Sequence, residues 1–258
     1  MAIKTPPRPG AVYWTAFTHL EGDSGPVDPL RFDMYVERLG NVLLPGITSR
    51  VERLRYFGMV CAGLEATRPA DIGEMSRRDA VRRWRRRFLD FEAGWALANV
   101  VAVDGAIKDR PPLVLRARLK DAFQGLRGAN RVLDYWRRSH GRDRIPPHDY
   151  VLLKAQEAQG GLGAYLVALR AYGFIQPDRF DLTAAGLDLA RAFRQGTRHA
   201  AQHLLANEPQ PLRALRRIGE VLLLPRPTRE EAVLVRDALF RSGGNVAAVF
   251  DGLPAAMR

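Results

Sequence analysis

The stretch from Asp149 to Phe193, DYVLLKAQEAQGGLGAYLVALRAYGFIQPDRFDLTAAGLDLARAF, restricts the fold more than any other part of the chain. Asp149 can cap a helix running to about Gln159, and Gly160-Gly161 supply the backbone freedom to end it. A second helix follows, with Leu162, Tyr165, Leu166 and Leu169 on one face at helical spacing, and Gly173 stops it. Phe174-Ile175 and Phe180-Asp181-Leu182 flank a Pro177-Asp178 turn and read as two short strands. Thr183 then opens a third helix with Leu187, Ala190 and Phe193 inward. Helix, turn, helix, hairpin, helix is the order of a winged helix-turn-helix. The expected fold is mainly α: a helical bundle with a winged-helix-like helix-turn-helix and a short β-hairpin.

The flanking sequence divides the chain around this module. Residues 1–29 are rich in Pro and Gly and read as an extended arm. Pro29 then opens a helix carrying Phe32, Tyr35, Val36 and Leu39. Residues 43–64 give a Pro45-Gly46 turn, a cap at Thr48 or Ser49, and a helix with Val51, Leu54, Phe57 and Val60 on its apolar face. The segment SHGRDRIPPH, 139–148, reads as an exposed linker. Downstream, the third helix of the module is expected to continue through RQGTRHAAQHLLA. Prolines 209 and 211 then break the chain before a helix from Leu212 to Leu224. Thr228 and Glu231 form a capping box for another helix, and a short final one follows. The expected organisation is a helical part with basic helices over 1–144, the winged-helix-like part over 145–207 and a helical tail over 208–258.

A net charge of +12 is distributed unevenly. Residues 1–67 are neutral, 68–87 carry a net +5, 88–109 a net −3 and 110–144 a net +7. The winged-helix-like stretch is close to neutral, at −1 over 145–193. A polyanion therefore meets the two central basic segments first.

The first basic segment opens a helix over residues 76–102, with Val81, Trp84, Phe88, Phe91, Trp95 and Ala98 as its buried stripe and Ser76 as its cap. Seven arginines fall within residues 77–87, on the faces the stripe leaves over. Cations near a helix N-terminus each cost about 0.3–1 kcal/mol against the macrodipole. Arg77, Arg78, Arg82, Arg83, Arg85 and Arg86 are therefore expected to face a negatively charged partner. The competing explanation is a solvated polar face in which Arg is filler.

The second segment is expected to form one long helix from Pro111-Pro112 to Arg138. Leu115, Leu119, Ala122, Leu126, Ala129, Leu133 and Trp136 make its dry stripe. Beside them Arg116, Lys120, Arg127, Arg131 and Arg138 stack as a basic ladder over roughly 33 Å. Gly125 and Gly128 weaken that helix by about 1 kcal/mol each relative to Ala.

Two further motifs carry a resemblance. The run Leu43-Leu44-Pro45-Gly46, Thr48, Arg50, Arg53 and Arg55-Tyr56-Phe57 is one. The other comprises Gly163-Ala164-Tyr165, Leu169-Arg170, Gly173 and Leu182-Thr183 through Gly186 to Leu189-Ala190. Together they are similar to uncharacterised bacterial proteins in which an LPG-x-T…R-x-RYF segment precedes a winged-helix-like module, some of them in phage-defence or mobile-element neighbourhoods. The resemblance implies a bacterial DNA-transaction or anti-phage context and protein partners. It transfers no catalytic residue.

No chemistry-bearing constellation is complete. His199 and His203 share a helix face at i and i+4, but the intervening Ala-Ala-Gln lacks a protease glutamate, and no metal is expected. Arg194 and His199 match the loose R-x4-H spacing of the HEPN ribonucleases, in which Arg would hold a phosphate and His move a proton. The chain has no phosphate-cradling G-x-x-x-x-G-K-[ST], no dinucleotide fingerprint and no cysteine pair, so no cofactor is expected. Its single cysteine, Cys61, cannot form an internal disulfide, which fits a cytoplasmic setting. MAIKTPPRPG lacks the apolar segment of a secretory leader, and no apolar run approaches the ~18 residues of a membrane helix.

The leading expectation is a non-catalytic, largely sequence-independent nucleic-acid-binding subunit that grips DNA or RNA phosphates. An adaptor for an acidic protein surface comes second. A helical nuclease using Arg194 and His199 comes third.

Overall fold

Helix α1, Arg55–Thr67, has no solvent-facing side from Arg55 to Leu64, and the helices Arg77–Gly105, Gly161–Ala171, Ala184–Phe193 and Arg229–Ser242 pack against it. In this computed structural model the described residues are 40, 44–47, 51, 53–70, 76–105, 125–139, 142–194, 197 and 199–242. They belong to one compact unit, Leu39–Arg258. The expected N-terminal arm, the helix after Pro29, the start of the helix at Pro111-Pro112 and the short final helix lie outside the described residues.

A helix that is apolar all round must be enclosed. The sequence RYFGMVCAGLEAT achieves this with apolar and small residues on every side and two aromatic residues, Tyr56 and Phe57, at its start. Tyr56 stacks on Tyr165 with ring centres 5.0 Å apart and meets Trp95 edge-on at 5.1 Å. The expected single apolar face is thus a fully buried helix, and Cys61 is buried with it. The two motifs of the resemblance meet here, since the Tyr165 hydroxyl also accepts the Arg53 N–H at 3.0 Å.

Helix α2, Arg77–Gly105, is roughly 43 Å long by helix rise. Its start is set by Ser76, whose Oγ accepts the Asp79 N–H at 3.2 Å and donates to Asp79 Oδ2 at 2.6 Å. From Phe91 to Val100 every residue is buried. Helix α3, Ala129–Arg138, is tied to the far end of α2, where Trp136 Nε1 donates to Asp104 Oδ2 at 2.9 Å.

Four elements build the module that the sequence frames most sharply. Helix α4, Gln156–Gln159, is a single turn, and α5, Gly161–Ala171, follows directly. In the hairpin after it, Ile175 bridges Leu182, Gln176 N–H donates to Asp181 O at 2.9 Å and Thr183 N–H to Phe174 O at 3.1 Å. Helix α6, Ala184–Phe193, begins at Thr183, whose Oγ1 accepts the Gly186 N–H. Helix α7, Ala200–Leu204, comes next. A two-stranded antiparallel sheet joins β1, Arg144–Ile145, to β2, Gln210–Pro211, with Ile145 opposite Gln210. The chain is therefore mainly helical with small antiparallel pairings.

Helices α8, Leu212–Val221, and α9, Arg229–Ser242, close the body. Helix α8 lies so close to α2 that a Cβ on Gly219 would overlap the carbonyl oxygen of Ala98. The capping box forms as expected, Glu231 N–H to Thr228 Oγ1 at 3.1 Å and Thr228 N–H to Glu231 Oε2 at 2.8 Å. The same glutamate pairs with Arg55 in the interior, where Arg55 also donates to Arg226 O and Val221 O.

Three expected helices are shorter than the sequence pattern. The helix expected from Asp149 is confined to Gln156–Gln159. Tyr150 is turned inward instead, donating to Ala93 O at 2.7 Å and stacking on Tyr135, and Leu152 is fully buried. Tertiary burial outweighs the local cap. The helix expected to continue past Phe193 stops there, with Arg194 as its C-cap, and α7 is separate. The long helix expected from Pro111 to Arg138 is interrupted. Gly125 and Gly128 have φ of 82° and 71°, so the chain turns there and α3 starts afresh at Ala129.

Candidate nucleic-acid interface

The rotation of α2 is fixed by what it buries. Ala80, Trp84 and Phe88 face inward, and Trp84 Nε1 donates to Leu64 O at 2.9 Å. With that stripe fixed, Arg78, Arg82, Arg83, Arg85, Arg86 and Arg87 are all exposed. Arg77 is the first residue of the helix, and its side chain lies outside the described residues. At about 100° per residue, Arg78, Arg82, Arg85 and Arg86 fall within roughly 100° of one another, on a single face. Arg83 and Arg87 flank that face on the other side. Arg87 joins the candidates because the burial of Trp84 and Phe88 leaves it outside, which the buried stripe in the sequence already implied.

The hairpin comes to the same end of α2. Phe180 meets Trp84 edge-on at 6.1 Å, and the Arg85 guanidinium lies 5.2 Å from the centre of the Phe180 ring. Arg68 pairs with Asp181 at 3.0 Å and lies over Trp84. Arg179 stands at the hairpin tip, 3.6 Å from Asp178. Arg68 and Arg179 thus lie by the hairpin, each ion-paired to one of its carboxylates. Arg68 carries no signal in the local sequence, since only the fold places it there.

Carboxylates engage part of this charge, at Arg68, Arg179 and Arg85. Arg85 reaches Glu157 at 3.8 Å with both side chains exposed, a pairing worth little in water. Burial pushes the Asp90 carboxyl up, and the charges of His148 and Arg86 pull it back down. Asp79 is engaged by Ser76.

The second group of candidates is placed elsewhere. Arg116 and Lys120 lie outside the described residues. Arg127 precedes α3 and is half-buried; its N–H donates to the Tyr56 hydroxyl at 2.7 Å, and its guanidinium charge acts on buried Glu92. Arg131 Nη1 donates to Val151 O at 3.3 Å. Arg138 is exposed in the last turn of α3, where the helix dipole favours cations. Because α3 is anchored at Asp104, its end lies roughly 33 Å along α2 from Arg82. The turn at Gly125 and Gly128 interrupts the expected ladder, and Arg138 at the end of α3 lies far along α2 from Arg82.

Glu92 is a fully buried acid in this basic region. Its Oε1 accepts the Gly161 N–H at the start of α5, and its Oε2 accepts Gln156 Nε2 at 3.1 Å. Burial pushes its carboxyl up to about 7, against the pull of those two donors and of Arg127. It holds α2 to the start of α5.

The helix of the winged module that could read bases is largely spent on packing. Leu162, Tyr165, Ala168 and Leu169 of α5 are buried, and its one arginine, Arg170, is half-buried. The R-x4-H pair is divided: Arg194 binds Glu65 at 2.6 Å at the end of α6, whereas His199 caps α7. Among the described residues no group of three or more His, Cys, Asp or Glu side chains could hold a metal ion. No described helix is long and apolar enough to cross a membrane. No family model, curated protein or solved structure matches the chain.

Proposed function

We propose that this protein is a non-catalytic nucleic-acid-binding subunit that grips phosphates without strong sequence preference. The observation that carries the proposal is the exposed arginine array on the first three turns of α2, backed by buried Trp84 and Phe88, with the hairpin packed beside it through Phe180. Arginine forks suit phosphate oxygens, and such contacts position a protein on nucleic acid without reading sequence. The absence of base-reading side chains on α5 supports a backbone grip. Arg78, Arg82, Arg83, Arg85, Arg86 and Arg87 are the proposed contacts. Membership in a multi-protein bacterial assembly, with anti-phage defence as its context, is proposed from the sequence resemblance alone.

The test is a fluorescence-anisotropy titration of random-sequence single- and double-stranded oligonucleotides across a salt series. Wild-type affinity is expected to fall steeply with salt. The triple variant Arg82→Gln/Arg85→Gln/Arg86→Gln should lower the log–log slope by about two to three for duplex. All three side chains are exposed, so circular dichroism should show an unchanged fold. Absence of binding, or an unchanged slope in the variant, would overturn the proposal; co-purification with an acidic protein in that case would favour the adaptor.

A further inference from the structure

Helices α7 and α8 border an open cavity of about 430 Å³, lined by Thr197, His199, His203, Arg213, Arg217 and Ile218. The arginines are four residues apart on α8 and stack on one face; His203 lies on α7 and His199 is its N-cap residue. Leu204 of α7 and Leu215 and Ile218 of α8 are buried, which fixes both helices with these faces toward the same gap.

The imidazole of His203 is oriented. Its Nδ1 lies 2.6 Å from Gln210 Oε1, and the amide of Gln210 is held in turn by Nε2 donating to Glu208 O at 3.0 Å. An amide oxygen can only accept, so Nδ1 carries a proton, and Nε2 donates to an anion when the ring is doubly protonated. Gln210 is itself buried and paired with Ile145 across β1 and β2. Arg213 and Arg217 are exposed, and neither is ion-paired to a carboxylate among the described residues. The first turn of α8 holds Arg213 and no acidic residue, a placement that costs stability without an anion nearby.

We propose that this cavity binds a phosphomonoester, supplied by a free nucleotide or by the phosphorylated end of a polynucleotide. Arg213 and Arg217 present guanidinium forks to the phosphate oxygens, and His203 and His199 add imidazole contacts from the facing helix. A volume of about 430 Å³ lies in the range of small-ligand sites. The site is separate from the arginine array. Helix α8 meets α2 at Ala98, roughly 18 Å along α2 from Arg86.

The test uses the full chain, with the His199 and His203 imidazole signals followed by NMR at constant ionic strength. Probes are inorganic phosphate, adenosine monophosphate, and one short oligonucleotide carrying either a 5′-phosphate or a 5′-hydroxyl. Saturable shifts with phosphate and the monophosphate are expected, with at least tenfold weaker binding in Arg213→Gln/Arg217→Gln. The exposed control Arg229→Gln should bind as wild type. Tighter binding of the 5′-phosphorylated oligonucleotide than of the monophosphate would assign the site to a polynucleotide end; the reverse would assign it to a free nucleotide. The Arg82/Arg85/Arg86 variant should keep these shifts, which separates this site from the array on α2. A response to phosphate no larger than that to sodium chloride, equal binding by the double variant, or binding of the 5′-hydroxyl oligonucleotide as tight as that of adenosine monophosphate would overturn the proposal.

Discussion

Single residues at the centre of this protein carry charge into the interior, and each does so with named partners. Glu92 is charged at high pH at the cost of desolvation, which Gly161 N–H, Gln156 and Arg127 only partly offset. Its ordinary value is 4.5 and its folded value about 7, so between those limits the folded state holds a proton that the unfolded chain has lost. Stability from this group is therefore greatest at or below pH ~4.5 and falls as pH rises to ~7, beyond which it is flat. The linkage amounts to about 2 kcal/mol between pH 5.5 and 8. Urea unfolding at those two pH values should show a pH-dependent loss in wild type that is smaller by about that amount in Glu92→Gln; equal losses would remove Glu92 as the source.

Arg55 and Glu231 form the other interior charge site. Burial lowers the Arg55 pKa and raises that of Glu231, disfavouring both charges, while each charge draws the other back. Removing one partner strands the other, so Glu231→Ala should cost about 3–5 kcal/mol in urea unfolding. Arg55→Met/Glu231→Met, which buries no charge, should cost less than the sum of its single changes. An additive double variant would show that the pair is not coupled.

At the level of elements, packing decides what sequence pattern leaves open. The caps at Ser76, Thr183 and Thr228 and the hairpin around Pro177-Asp178 were legible because a few adjacent residues determine each one. The outward arginines of α2 were legible too, because Val81, Trp84 and Phe88 recur at helical spacing. The break at Gly125–Gly128 was not, although both glycines were visible. An unbroken heptad-like stripe ran through them, and only the close approach of Leu152 shows why a left-handed turn is needed. The cavity was half legible: His199 and His203 were paired in sequence, but the facing Arg213 and Arg217 required the fold. Gly219 shows the same limit, since nothing local marks it as a helix crossing. Gly219→Ala should gain about 1 kcal/mol in helix propensity and lose more to overlap with Ala98. A net loss of at least ~2 kcal/mol in thermal or urea unfolding is expected, because backbone oxygen cannot move aside as a side chain can. A stabilised variant would mean that α8 does not cross α2 this closely.

At the scale of the whole molecule, residues from each of the three sequence segments enter one hydrophobic core that runs from Tyr56 to Ala238. The helices after residue 207 look like an appendage in sequence, set off by prolines, yet they close the interior of the first segment. Trp95 Nε1 donates to Leu222 O at 2.9 Å, Asn99 Oδ1 accepts the Leu224 N–H at 2.7 Å, and Arg55 finds its carboxylate on α9. Without them, fully buried Trp95 and Asn99 lose their partners, and Arg55 becomes an uncompensated interior charge. Each such loss is worth about 1–5 kcal/mol, and together they match the usual 5–15 kcal/mol stability of a domain. A chain truncated after Asn207 is therefore expected to retain helical circular dichroism but lose a cooperative unfolding transition. A sharp transition near that of the full chain would instead show that residues 1–207 fold alone. That outcome would make the cavity between α7 and α8 an interface of separable parts.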